Sequence, residues 1–272
     1  MKQRIITAII LGIVAIPICI FSGTIIFPIA MAFIGVVGVW ELLGCMGTRK
    51  YNYLSIPLYI MAAASPFIFR YFANEIKLYS DKLLSILLCF ALYLLGAWVF
   101  SYEKDQKVDI KPVITSALIA LYIIGATNCI ILIRDVTYGA FYWYFIFIGA
   151  WVTDTFAYFS GMLFGKHKLI PAVSPKKTVE GAIGGTLFCV IFFVVYGAIV
   201  NHFTDSSINL LLVGFAGLVS ALVSQIGDLS MSVIKRTYGI KDYGKIFPGH
   251  GGVLDRFDSI LAVAIVLALI LV

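Results

Sequence analysis

The sequence predicts an all-α fold, a polytopic membrane bundle of about nine transmembrane helices. Three observations carry that prediction. Of 272 residues, 61% are hydrophobic and only 12% are charged, where a soluble domain carries about 25% charged residues. The mean hydropathy is +1.02, which leaves too few polar groups to cover a water-facing surface. The apolar residues are also gathered into runs near the roughly 20 residues that cross a bilayer. A soluble globular protein, a disordered chain and a secreted disulfide scaffold are therefore excluded. Nine such runs with short loops use nearly the whole chain, so residues 1–272 read as a single integral membrane domain.

The first run, 5–21, follows Met1-Lys2-Gln3-Arg4 and looks like a signal peptide. More spans follow and no small-x-small cleavage site is clear, so it reads as the first spanning helix. Runs at 24–46, 54–69, 83–100 and 113–133 complete the N-terminal helices of residues 1–134, with Ser22 and Gly23 as a tight first turn. Runs at 140–165, 182–200, 208–234 and 253–272 make the second half, 140–272, whose long loops carry the candidate site. The last run needs Gly252–Phe257 to reach spanning length, so its first turn is polar. The aromatic stretch Phe141-Tyr142-Trp143-Tyr144-Phe145 reads as an interfacial belt. Cys19, Cys45, Cys89, Cys129 and Cys189 are widely spaced, odd in number and form no CxxC pair. They read as small apolar packing residues, not as a metal site or disulfide framework.

Loop charge gives the orientation. The N-terminus and the loops on its side carry sixteen of the 20 Lys and Arg residues, and the opposite loops carry four. The positive-inside rule then places the N-terminus in the cytoplasm. The two longest basic loops, 166–181 and 235–258, fall on the same side.

Five of the fourteen acidic residues sit in or at the ends of apolar runs: Glu41, Asp154, Asp228, Asp255 and Asp258. A charge at the centre of a membrane helix costs about 2.5–3.5 kcal/mol on insertion scales, so such residues usually face a partner or a water-filled cavity. Gln225, Asp228, Ser232 and Lys235 form one polar stripe of the eighth run. Asp228 lies about 30 Å along that helix at about 1.5 Å per residue, which is the cytoplasmic edge. Asp255 and Asp258 occupy the first turns of the ninth run at the same edge. The three aspartates are expected to converge there; the alternative is that they merely pair with Lys235, Arg236 or Arg256 at the interface. An all-oxygen carboxylate site without His or Cys favours Mg²⁺. Lys235, Arg236, Lys241, Lys245 and Arg256 supply positive charge around it, and Gly249-His250-Gly251-Gly252 before a helix start suits an anion.

In the other long loop, Ser174-Pro175 reads as an N-cap with proline in the first helical position. Lys176 and Lys177 would then oppose the helix dipole, unless the helix starts later or a phosphate offsets them. Asp154 is expected to face the bundle interior with Tyr158 on the same face, and Glu41 to play an interfacial role. His250 reads as a phosphate donor or a structural hydrogen-bonder.

The 27 residues Ser232-Val-Ile-Lys-Arg-Thr-Tyr-Gly-Ile-Lys-Asp-Tyr-Gly-Lys-Ile-Phe-Pro-Gly-His-Gly-Gly-Val-Leu-Asp-Arg-Phe-Asp258 resemble the signature of the phosphatidate cytidylyltransferases, or CDP-diacylglycerol synthases. Phe164-Gly-Lys-His-Lys-Leu169, Ser174-Pro-Lys-Lys-Thr-Val-Glu-Gly181 and Ser224-Gln-Ile-Gly-Asp-Leu-Ser230 are similar to the same family. The resemblance covers about residues 150–260; the first 110 residues resemble the family only as an apolar bundle. Phe156 departs from it, standing where glycine is often expected. The resemblance implies that CTP and phosphatidic acid give CDP-diacylglycerol and pyrophosphate in phospholipid biosynthesis. It implies Mg²⁺, with a second cation beside it as an option, and a homodimer in the cytoplasmic (plasma) membrane with no nucleic-acid partner. Carried over by position, Asp228, Asp255, Lys235 and Arg236 are the expected catalytic residues, and Asp228, Asp255 and Asp258 the metal ligands. Ser174, Lys176, Lys177, Lys241, His250 and Arg256 are the expected phosphate ligands, with Asp154, Ser232 and Gln225 in support. The longer Asp-Gly-x-x-Ala-Arg pattern of CDP-alcohol phosphotransferases is not found, and a transporter would place its charges nearer the midplane.

Overall fold

The protein is described from a computed structural model, which covers residues 2–72 and 110–272. The helices are α1 (Lys2–Ile20), α2 (Ile26–Cys45), α3 (Asn52–Tyr71), α4 (Ile110–Asp135), α5 (Gly139–Tyr142), α6 (Tyr144–Phe147), α7 (Thr153–Phe164), α8 (Val179–Phe203), α9 (Leu210–Thr237) and α10 (Leu254–Leu271). A π-helical turn, Ile148–Val152, joins α6 to α7. Strands β1 (Lys168–Ile170) and β2 (Ser174–Thr178) form an antiparallel hairpin before α8.

Eight of the nine expected runs fall on helices, and the run 83–100 lies outside the described residues. By length and composition, six helical stretches among the described residues can cross a membrane: α2, α3, most of α4, the stretch Gly139–Phe164, α8 and α9. The expected count of about nine is therefore not confirmed among these residues, and one of the nine runs lies outside them. In α10 the cause is visible, because Asp255, Arg256 and Asp258 occupy its first turns.

The helices alternate in direction, and side-chain contacts tie their ends into two opposite faces. On one face Thr48 and Ser116 are joined by a 2.9 Å hydroxyl contact, and the Glu41 carboxylate meets the start of α10. On the other face the Arg134 Nε donates to Ser22 Oγ at 2.9 Å, and Arg70 meets Asp135 at 3.3 Å. The long basic loops lie on the first face, as the alternation of charge requires.

Two buried apolar clusters fill the bundle. One gathers Phe27, Trp143, Phe193 and Val263; the other gathers Leu42, Leu54, Ile123 and Leu261. The aromatic stretch 141–145 is not simply a belt. The chain breaks into two short turns there, which rotates Trp143 and Phe145 into the core at 1% and 3% exposure and leaves Phe141 outside. Trp143 meets the Phe27 ring edge-on at 5.2 Å. Cys189 is buried, Cys19, Cys45 and Cys129 are half-buried free thiols, and Cys89 lies outside the described residues.

Ser174-Pro175 does not start a helix. Ser174 pairs with Ile170 and Thr178 with Lys168, so Lys176 and Lys177 lie on a strand. The helix starts at Val179, where the Thr178 hydroxyl accepts from the Gly181 N–H at 3.1 Å as an N-cap. The two lysines therefore precede the helix dipole instead of opposing it.

Candidate active site

The site forms where the end of α9, the start of α10, α7 and the β1–β2 hairpin meet. On α9 the expected stripe is real, but its members face different partners. Gln225 donates to Thr186 Oγ1 of α8 at 3.1 Å, Asp228 contacts the Lys177 ammonium, Ser232 is half-buried, and Lys235 reaches α10. The Lys235 Nζ lies 2.8 Å from Asp255 Oδ1.

Asp255 is occupied on both oxygens. Besides Lys235, its Oδ2 accepts from the backbone N–H groups of Tyr243 at 2.8 Å and Gly252 at 2.9 Å. The Tyr243 hydroxyl in turn donates to the Met231 carbonyl at 2.9 Å, and burial pushes that phenol's pKa up. Asp255 thus ties the loop 238–253 to both helices that it joins.

Asp258, one turn on, makes a different hydrogen bond. Its Oδ1 accepts from the Ser259 N–H at 2.9 Å, and it lies within electrostatic reach of Lys235, Asp154 and Asp255. The Ser259 hydroxyl donates to Asp154 Oδ2 at 3.4 Å, bridging α10 to α7. The Lys177 ammonium sits among Asp154, Asp228 and Asp258. Desolvation at this half-buried position lowers its pKa from the ordinary 10.5, and Asp154 and Asp258 oppose that shift. Asp154 and Tyr158 do share a face, but both are exposed, Tyr158 at 67%, so that face does not turn into the bundle interior as expected.

Next to these carboxylates is a basic cavity of about 700 Å³, lined by Lys241, Lys245, Gly249, His250, Gly251 and Arg256 among others. Its turn is closed by Phe247 N–H to the Gly251 carbonyl at 2.9 Å. Gly249 and Gly251 adopt φ of 77° and 88°, which side-chain-bearing residues rarely reach. The His250 Nδ1 is buried there with no hydrogen-bond partner among the described residues. Arg256 lines the cavity and is also within electrostatic reach of Asp154, so it links the cavity to the carboxylates.

Several expected site residues lie apart. Lys176 is exposed on the hairpin, and Ser174 is half-buried in β2. Arg236 is exposed and donates to the Ile240 carbonyl at 3.3 Å beyond the end of α9. The expected metal trio is not gathered either. Among the described residues, no three His, Cys, Asp or Glu side chains stand close enough to hold a metal ion. Residues three apart on a helix point about 60° apart at 3.6 residues per turn, so Asp255 bonds to Lys235 and the loop, while Asp258 bonds to the Ser259 N–H within electrostatic reach of Lys235 and Asp154. The donor chemistry still fits Mg²⁺: this ion takes one or two carboxylates and completes its shell with water and substrate phosphates. Asp154 and Asp258, with the Ser259 hydroxyl beside them, are oxygen donors of that kind, which the Lys177 ammonium now shares.

Sequence reasoning missed the role of Glu41. Its side chain is fully buried, and its two oxygens accept from Val253 and Leu254 N–H at 3.0 and 2.9 Å. The signal available was an acid in an otherwise apolar helix.

A sequence profile described as the cytidylyltransferase family matches residues 2–272. The chain belongs to the cytidylyltransferase family. It is accordingly an enzyme of the transferase class. Among its relatives is a protein named phosphatidate cytidylyltransferase from Staphylococcus saprophyticus, 36% identical over 274 aligned positions, covering 100% of this chain and 99% of the relative. Proteins of the same name from Staphylococcus epidermidis and Staphylococcus haemolyticus are 33% and 32% identical, again over 100% of this chain and 99% of their own. The family match extends through the N-terminal helices, which on motifs alone resembled the family only in being apolar.

Proposed function

We propose that this cytidylyltransferase transfers the cytidylyl group of CTP to phosphatidic acid, releasing CDP-diacylglycerol and pyrophosphate. The observation that carries the reading is the continuity of a basic cavity, through Arg256, with the Asp154–Asp258 carboxylates at one face of a membrane bundle. Family membership and the relatives' names support the substrate pair.

In this reading the nucleophile is a phosphate oxygen of phosphatidic acid. A phosphate monoester has its second pKa near 6 and is largely dianionic at pH 7, so no general base is required. The oxygen forms a bond to the α-phosphorus of CTP as the bond to the pyrophosphate oxygen breaks. Lys241, Lys245 and His250 bind the polyphosphate in the cavity, and Arg256 spans from it to the reacting phosphorus. Asp154, Asp228 and Asp258 fix the Lys177 ammonium, which binds the lipid phosphate. Such positioning and charge neutralisation are the main requirements of in-line transfer at phosphorus. A Mg²⁺ bound by Asp154 and Asp258 would neutralise charge on the phosphates. Lys235 and Asp255 serve the reaction by fixing the loop.

Phosphatidic acid lies at the membrane surface and CTP in the cytoplasm, so a site at the basic face meets both. The positive-inside rule assigns that face and the N-terminus to the cytoplasm, and the membrane of bacterial relatives is the plasma membrane. The test is direct. Purified protein is incubated with labelled CTP, phosphatidic acid and Mg²⁺, and label is expected in the lipid phase. No label in the lipid phase would overturn this reading, and label that enters lipid only when another lipid phosphate is supplied in place of phosphatidic acid would replace the acceptor.

A further inference from the structure

We infer that Glu41 is a positioning residue for the active site, acting from the N-terminal half of the chain by clamping the loop that lines the basic cavity. The inference rests on the transferase reading for what the loop does, and on the geometry for what holds the loop.

Helix α10 has no cap of its own. Val253, at its N-cap position, is in helical conformation and makes no side-chain cap hydrogen bond. The first N–H groups of a helix lack intrahelical partners, and here Glu41 supplies them from α2. Its Oε1 accepts from Val253 at 3.0 Å and its Oε2 from Leu254 at 2.9 Å. A carboxylate at a helix N-terminus is favoured by the dipole, and its hydrogen bonds are charge-assisted.

The loop also closes around this carboxylate. A β-carbon on Gly244 would stand 2.1 Å from Glu41 Oε1, and one on Gly252 would stand 2.2 Å from it. Both ends of the segment 244–252 therefore rest on Glu41. A second clamp comes from α1, where the Thr7 hydroxyl donates to the Pro248 carbonyl at 2.9 Å. Lys245, His250 and the Gly249–Gly251 turn lie between these fixed points. Glu41 thus acts on the cavity through backbone, by setting where its cationic side chains stand relative to Arg256 and Asp258.

The test uses the full chain in detergent micelles, with Glu41→Gln and Thr7→Val. Glutamine keeps the size of Glu41 and one acceptor, but turns an amide donor toward one of the two N–H groups; valine keeps the shape of Thr7 without its hydroxyl. The KM for CTP is expected to rise about tenfold in Glu41→Gln, the effect of losing one hydrogen bond to a charged group, and about threefold in Thr7→Val. The KM for dispersed phosphatidic acid stays within about twofold of wild type. Amide hydrogen exchange quickens across 241–252 while α2 and α10 keep their protection. A purely structural Glu41 gives the reverse: less folded protein, unchanged KM for CTP in what remains, and faster exchange throughout α2 and α10. That pattern, or a slow-exchanging loop in both variants, overturns the inference. Wild-type protein that labels no lipid defeats the transferase reading instead, and the exchange experiment still decides the clamp.

Discussion

Lys235 and Asp255 form an ion pair at 2.8 Å with 10% and 2% of their side chains exposed, closing the end of α9 onto the start of α10. They stand 20 positions apart, and the stretch between them includes the whole cavity loop. Because Asp255 also accepts from Tyr243 and Gly252, one carboxylate fixes the loop's entry, its exit and the helix pair. Asp255 is the member of the aspartate trio with the most to do for architecture.

Asp255→Asn is therefore expected to lose folded protein, not activity alone. Removing one partner of a buried ion pair costs about 3–5 kcal/mol, because the other charge stays buried and unpaired. Thermal unfolding in detergent measures this. The double variant Lys235→Met with Asp255→Asn should recover part of the lost stability, since no charge is then stranded. A double variant no more stable than Asp255→Asn would show that the ion pair is not the reason.

Asp154→Asn and Asp258→Asn should behave differently. Asparagine is nearly isosteric and retains an acceptor for Ser259, so the bundle keeps its melting temperature. Loss of a carboxylate facing the phosphates should lower kcat about 100-fold. It should also raise the Mg²⁺ concentration for half-maximal rate. Initial rates against Mg²⁺ check both effects. Normal rates in both variants would remove these carboxylates from the reaction.

The helices and their alternation were legible in the sequence because a bilayer demands long apolar runs and the loop charge is lopsided. What was not legible depends on contacts that local spacing cannot encode. The strand at Lys176 and Lys177 requires its pairing with Lys168–Ile170, whereas Ser174-Pro175 by itself suits a helix start. Asp255 and Asp258 look equivalent at i and i+3, yet Asp255 takes the hydrogen bonds of Lys235 and the loop, while Asp258 bonds to Ser259 N–H and lies within reach of both Lys235 and Asp154. The burial of Trp143 accompanies a helix break after Tyr142 that no composition announces. Glu41 meets Val253 across 212 positions of sequence, so only the tertiary fold reveals it.

The pH dependence should carry the mark of Lys177. Desolvation depresses its pKa below the ordinary 10.5, so the folded protein gives up this proton at lower pH than the unfolded chain does. Between the depressed value and 10.5 the unfolded chain binds more protons, and this group's contribution to stability rises with pH. Turnover moves the other way, because the ammonium is the proposed phosphate ligand and disappears over the same window. Rates should thus fall on the alkaline side while melting temperature does not fall with them. Lys177→Arg, which stays charged, should shift or abolish that limb in a pH–rate profile. An identical alkaline limb in the variant would assign it to another group.

The loop glycines give the sharpest steric contrast. Gly244→Ala and Gly252→Ala would each drive a β-carbon to 2.1–2.2 Å from the buried Glu41 carboxylate, which is itself held by two backbone N–H groups and cannot easily retreat. The loop must then move away from α2, carrying Lys245 and His250 out of register with Arg256. Activity should fall about 100-fold or more in both, by the sensitivity of phosphoryl transfer to small displacements. Gly125→Ala in α4 is the control, because its β-carbon meets nothing within 4 Å. Alanine is favoured over glycine inside a helix by about 0.5–1 kcal/mol, so this variant should keep full activity and melt no lower than wild type. Parallel rate and melting measurements on the three variants decide the matter, since active Gly244→Ala and Gly252→Ala proteins would mean that the loop does not need its seat on Glu41.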